Sequence, residues 1–148
     1  MKLNILVAVL LVGFSLSYLL ASGSVDFKSD DKAGIQFHKG TWAEALERGQ
    51  KENKPIFPDV YDTWCGPCKK MKKKTFSNEM VGAFFNQHFI NVAIDGETPE
   101  GRQLANQYSV MSYPSLLFVD DKGKVLEQSM GFHSIDEFLA RGKTRVKI

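Results

Sequence analysis

Residues 55–68 read Pro55-Ile56-Phe57-Pro58-Asp59-Val60-Tyr61-Asp62-Thr63-Trp64-Cys65-Gly66-Pro67-Cys68, and the architecture follows from how this stretch divides. Its first half, Pro55 to Tyr61, is a short apolar run of the kind that forms a buried strand. Pro58 is awkward there, because proline has no N–H for the ladder and belongs at edges or bulges. The second half sets a Cys-x-x-Cys pair directly after that strand and at the start of a helix predicted from about Cys65 to Lys74. A cysteine at a helix N-terminus faces unpaired N–H groups and the positive end of the helix dipole, both of which favour thiolate over thiol. In that context the pair reads as a redox motif. Cys65 is then the nucleophile, and Cys68, one turn deeper, is placed to attack a mixed disulfide on Cys65 and close the Cys65–Cys68 bridge.

Toward the N-terminus, Ile35–His38 alternates apolar and polar residues and predicts an edge strand. Thr41 with Glu44 has the form of a capping box; the helix it opens carries Trp42, Ala45 and Leu46 on its apolar stripe and ends at Asn53-Lys54-Pro55. Toward the C-terminus, Ser77 opens a helix through Val81, Phe84 and Phe85, and Phe89–Ile94 is a strand. Thr98-Pro99-Glu100 starts a helix that reaches Tyr108, with proline in the first turn where its missing N–H costs nothing. Ser115–Val119 is a strand that Asp120–Gly123 turns into a second, Lys124–Gln128, as a β-hairpin. Ser134 and Glu137 cap a last helix. Strands alternating with helices and finishing in a hairpin predict an α/β fold, a central mixed β-sheet flanked by helices.

The 148 residues are 43% hydrophobic and 24% charged with a net charge of +2, which fits one globular domain rather than a disordered chain. So balanced a charge gives no support to a nucleic-acid partner. Two cysteines three positions apart close a trivial loop, so the pair is not a stability staple. Residues 1–23 open with Lys2 and an almost unbroken apolar run from Ile5 to Ala21, followed by small and polar residues. They predict a signal peptide or, since the run approaches the roughly 20 residues that span a bilayer, an N-terminal membrane anchor over residues 3–21. Either reading makes the chain periplasmic or otherwise exported. Residues 24–34 are then a polar linker and residues 35–148 the folded domain.

The sequence Trp64-Cys65-Gly66-Pro67-Cys68, with Asp59 six residues before the first cysteine and Tyr113-Pro114 leading into a strand, resembles the thioredoxin superfamily over roughly Ile35 to Ala140. Lys54-Pro55, the long Lys69–Phe76 segment followed by Ser77, and the leader are similar to exported thioredoxin-like proteins, including the C-terminal domain of the transmembrane disulfide reductase DsbD. The resemblance implies a thioredoxin-like fold in which Pro114 is a cis-proline against the active site, with a neighbouring backbone edge at Tyr113 left to hold a substrate strand. It implies that Asp59 is a buried acid able to take up a proton from Cys68. Aligning Ile94-Asp95 puts Asn91 where cytoplasmic thioredoxins carry a lysine near that acid, so Asp59 lacks this compensation. Trp64 reads as a shield for the thiols and a partner contact. Pro67 suits the first turn of its helix, and the resemblance associates the Gly66-Pro67 pair with reducing members. No cofactor and no metal are implied.

The leading function is therefore an exported thiol:disulfide oxidoreductase, a monomer that reduces disulfides of envelope proteins. In an oxidising compartment a glutathione pool cannot keep it reduced, so it needs a membrane electron donor. A disulfide oxidase or isomerase is the nearest alternative. A metal-binding module on the two thiolates would need a third ligand, and His38, His88 and His133 are scattered without ligand spacing. A peptide-binding module with incidental redox activity is the third reading. Lys69, Lys70, Lys72, Lys73 and Lys74 surround Met71; such a run is ordinarily a solvated face. The functional reading is a positive field that lowers the Cys65 pKa and steers acidic partners, within a screening length of about 8–10 Å.

Overall fold

The computed structural model describes residues 33–146, so the expected leader and nearly all of the linker lie outside the described residues. The elements are α1 (Trp42–Glu52), β1 (Ile56–Tyr61), α2 (Gly66–Met71) continued by a π-helical turn (Lys72–Phe76), α3 (Glu79–His88), β2 (Ile90–Asp95), α4 (Pro99–Gln107), β3 (Ser115–Val119), β4 (Val125–Met130) and α5 (Ile135–Lys143). The sheet order is β2-β1-β3-β4, with β1 and β2 parallel and both other junctions antiparallel. This is the mixed, helix-flanked sheet expected from the sequence. Local chemistry sets the ends of its elements. Thr41 with Glu44 and Ser134 with Glu137 form complete capping boxes on α1 and α5. Asp120 Oδ1 accepts from the Lys122 and Lys124 N–H groups and closes the β3–β4 hairpin.

The two faces of the sheet bury different chemistry. Ile56 and Val60 of β1, Val92 and Ile94 of β2, and Leu117 and Val119 of β3 pack with Trp42 and Ala45 of α1 and Leu104 of α4. The opposite face is aromatic: Phe57, Phe76, Phe85, Phe89, Phe118 and Phe138 form one cluster with Met71 and Leu116. The Phe57 ring lies 5.1–5.9 Å from the rings of Phe76, Phe85, Phe118 and Phe138, and Phe85 stacks on Phe138 at 4.2 Å. Edge-on and offset ring pairs at such separations add to the area they bury.

Three local features differ from the sequence reading. Ile35–His38 does not form an edge strand. The His38 N–H donates to the Asn91 carbonyl at 2.7 Å, but the Gln36 N–H turns to Asn86 Oδ1, and Asn91 Nδ2 reaches the Gln36 carbonyl. Side-chain amides thus stand in for part of the ladder. Second, the helix expected from Cys65 to Lys74 begins at Gly66 with Cys65 as its cap, and beyond Met71 it widens into a π turn. Thr75 and Phe76 are buried at the end of that turn, where Thr75 Oγ1 donates to the His133 carbonyl at 2.7 Å. Third, Pro58 occupies the middle of a central strand. The β1–β3 register runs Ile56↔Val119, Asp59↔Leu116 and Val60↔Ser115, passing over Phe57 and Pro58. Leaving out those rungs is how the strand accommodates a residue with no N–H.

Candidate active site

β1 delivers the site. After Tyr61 the chain turns at Asp62, which is buried; its Oδ1 accepts from the Trp64 N–H at 3.3 Å and its carbonyl from the Cys65 N–H at 3.4 Å. This Asx-type turn sets Cys65 at the N-cap of α2, with Gly66 and Pro67 as the first helical residues. Cys65 and Cys68 are joined by a disulfide, S–S 2.10 Å and Cα–Cα 5.3 Å. The Cys68 N–H donates to Cys65 Sγ at 3.2 Å. An N–H aimed at the cap sulfur, at the positive end of a helix, favours its thiolate once the bridge is reduced.

The two sulfurs have unequal surroundings. Cys65 is half-buried beside exposed Gly66, Pro67 and Trp64, the last with 71% of its surface open, whereas Cys68 is 8% exposed. A side chain added at Gly66 would meet nothing within 4 Å, so packing does not require glycine there. Behind Cys68 lies a cavity of about 400 Å³ whose wall includes Asp59, Phe37, Tyr61, Phe76, Ala93, Lys69 and Lys72. Asp59 is 7% exposed and its Oδ1 has no hydrogen-bond partner. Burial alone pushes its carboxyl up to about 7, from an ordinary 3.8. Asn91 does not compensate it. The residue paired with Asp59 on β2 is Ala93, while Asn91 pairs with Phe57 and donates its Nδ2 to Asn86 Oδ1 at 3.2 Å.

The Tyr113–Pro114 bond is cis, and Pro114 is buried. It immediately precedes β3, whose first residue Ser115 pairs with Val60, next to Asp59. The Pro114 carbonyl accepts from the Gly131 N–H at 2.9 Å. Tyr113 is half-buried and packs over Gly96, where an added Cβ would fall 2.3 Å from the phenol oxygen. Met111 and Met130 are 84% and 55% exposed, and Ser112 Oγ lies 3.1 Å from Met130 Sδ. The fold therefore brings Cys65, Cys68 and Asp59 together and sets Pro114 at the same end of β1. Asp62 was not singled out from the sequence; an aspartate three residues ahead of a helix cap is the turn signal that points to it. Among the described residues no group of three or more His, Cys, Asp or Glu could hold a metal ion.

The thioredoxin-like family model matches residues 36–121. The thiol:disulfide interchange protein DsbD of Haemophilus influenzae is 31% identical over 109 residues, 70% of this chain and 19% of that protein. The chain thus spans about a fifth of the length of the curated relatives it matches first. Among solved structures, a proposed disulphide-isomerase from Bacteroides thetaiotaomicron has a TM-score of 0.67 and 40% identity, covering 75% of this chain and 92% of that one. The oxidised C-terminal domain of Neisseria meningitidis DsbD has a TM-score of 0.60 and 26% identity, covering 70% and 91%. A mixed sheet with a disulfide-forming Cys-x-x-Cys at a helix N-terminus, in such company, defines a thiol:disulfide oxidoreductase. The chain belongs to the thioredoxin-like family.

Proposed function

We propose that this oxidoreductase is exported and works as a reductant of disulfides in envelope proteins. The observation that carries the exchange chemistry is the asymmetry of the pair: a reachable sulfur at a helix N-cap, and a buried one that shares a cavity with an acid titrating near neutrality. In the reduced protein the Cys65 thiolate attacks one client sulfur, and the other leaves as a thiolate that takes a proton from solvent. Asp59, ionised, accepts the Cys68 proton; the Cys68 thiolate attacks Cys65 Sγ, and the second client sulfur departs and is protonated. The client gains two electrons and two protons, and the Cys65–Cys68 bridge forms. Trp64, Gly66, Pro67, Tyr113 and Pro114 form the surface against which the client is held.

Export is supported by the apolar leader at residues 1–23 and by similarity to DsbD and to the DsbH oxidoreductase, the latter at 28% identity over 86% of this chain. Among the described residues no helix is long and apolar enough to cross a membrane. Re-reduction in an oxidising compartment requires a membrane electron donor. The direction rests on Gly66-Pro67, which favours the reducing reading over an oxidase or isomerase. Cysteine variants test the exchange cycle. Cys65→Ala is expected to abolish disulfide reduction, and Cys68→Ala to accumulate mixed disulfides with clients, read by non-reducing electrophoresis. Equal trapping by both variants would overturn the assigned roles.

A further inference from the structure

We infer that the lysine-bearing face of α2 and its π turn selects clients by charge, favouring disulfides set in acidic polypeptide segments. This deepens the redox reading and rests on it. Lys69, Lys70, Lys72, Lys73 and Lys74 are all exposed, on the helical segment that carries Cys68. At about 1.5 Å of rise per residue, even Lys74 lies about 9 Å along the axis from Cys68, within the range over which charge is felt at physiological salt.

Three observations separate this face from an ordinary solvated one. Among the described residues none of the five lysines is in an ion pair; the ion pairs lie elsewhere, at Arg48–Glu52, Lys54–Glu52, Arg141–Glu127 and Arg145–Glu127. The chain as a whole carries 19 basic and 17 acidic residues, so the excess is local to this segment. Spacings of three and four residues, as in Lys69/Lys72, Lys70/Lys73 and Lys70/Lys74, crowd like charges along one helical segment, where they repel each other. The fold gains nothing from that repulsion, and an acidic partner relieves it. The lysines also border both sides of the site. Lys69 and Lys72 line the cavity behind Cys68, while Lys70 Nζ sits 4.1 Å over the Phe132 ring, in the loop that follows β4. A polypeptide suits this face better than a lipid surface, because the group it flanks exchanges electrons only with another sulfur pair.

The test uses the reduced full chain and two synthetic peptides with the same central disulfide, one flanked by Asp and Glu and the other by Gln and Ser. At low ionic strength the acidic peptide is expected to react about tenfold faster, and the advantage to shrink to about twofold or less in 1 M salt. The variant K70Q/K73Q/K74Q, which leaves the two cavity lysines in place, should cut the low-salt preference to about threefold and leave the Gln/Ser peptide's rate unchanged. Equal rates of the two peptides with the unsubstituted protein, or a preference that stays near tenfold in the variant, would overturn the proposal. So would a missing preference combined with salt-sensitive binding to phosphatidylglycerol vesicles that the same substitutions abolish, since the face would then be a lipid surface. Failure to reduce either peptide would instead remove the redox reading, and the selectivity with it.

Discussion

Phe57 and Asp59 stand two residues apart on the same central strand, both buried and on the same face of the sheet, yet their surroundings are opposite. Phe57 is enclosed by four rings, and across from it on β2 is Asn91, whose amide is bound to its neighbours. Asp59 faces a cavity, with Ala93 across from it and a carboxylate oxygen that nothing satisfies. One step of the strand's two-residue repeat takes the chain from packing to chemistry. What changes is the size of the neighbours: where aromatic rings give way to an alanine, the face opens, and a group that is costly to bury is left next to Cys68. Phe57 supplies rigidity to the end of β1 that must aim the cysteine loop, and Asp59 uses the space that this packing leaves.

Substitutions at the two positions should therefore move stability in opposite directions. Phe57→Ala empties the centre of the ring cluster and is expected to lose about 3–5 kcal/mol of unfolding free energy, read from denaturant midpoints. A loss under about 1 kcal/mol would show that the rings do not act as one packed unit. Asp59→Asn should do the reverse above neutrality. Because burial raises the folded-state pKa of Asp59 from 3.8 to about 7, the folded protein holds its proton longer than the unfolded chain does. Wild-type stability then falls as pH rises through that window. The asparagine variant is accordingly expected to match the wild type near pH 3 and to exceed it by up to about 4 kcal/mol at pH 8. The same variant should release mixed disulfides more slowly near pH 7 while the first attack by Cys65 changes little. A pH-independent stability difference would mean that Asp59 is not buried as an acid.

The sheet and the site differ in how far the sequence revealed them. The strand that ends at Tyr61, the cysteine pair at a helix N-terminus, the capping boxes at Thr41 and Ser134 and the hairpin at Asp120 were legible because each is a local pattern with one physical solution. The π turn at Lys72–Phe76 was not, because lysines favour a helix whichever carbonyl the N–H groups choose. Ile35–His38 has the alternation of a strand, but Gly34 enters at φ 93° and the amides of Asn86 and Asn91 take up its main-chain groups, information held 50 residues away. Pro58 argued against a central strand and sits in one, since the cost of a missing rung depends on a neighbour that sequence alone does not identify. The cis bond at Pro114 and the buried acid at Asp59 came from the family resemblance; the spacing of the residues held no trace of either. The cavity at Asp59 depends on Ala93 being its cross-strand neighbour, which only the register reveals.

The equilibrium reduction potential of Cys65/Cys68, titrated against dithiothreitol and glutathione buffers, bears on the direction of electron flow. A reductant requires a value near the roughly −270 mV of thioredoxin, from which the pair gives electrons to strained or exposed disulfides of higher potential. A value toward the about −120 mV of DsbA would make the protein an oxidant and contradict the reading of Gly66-Pro67.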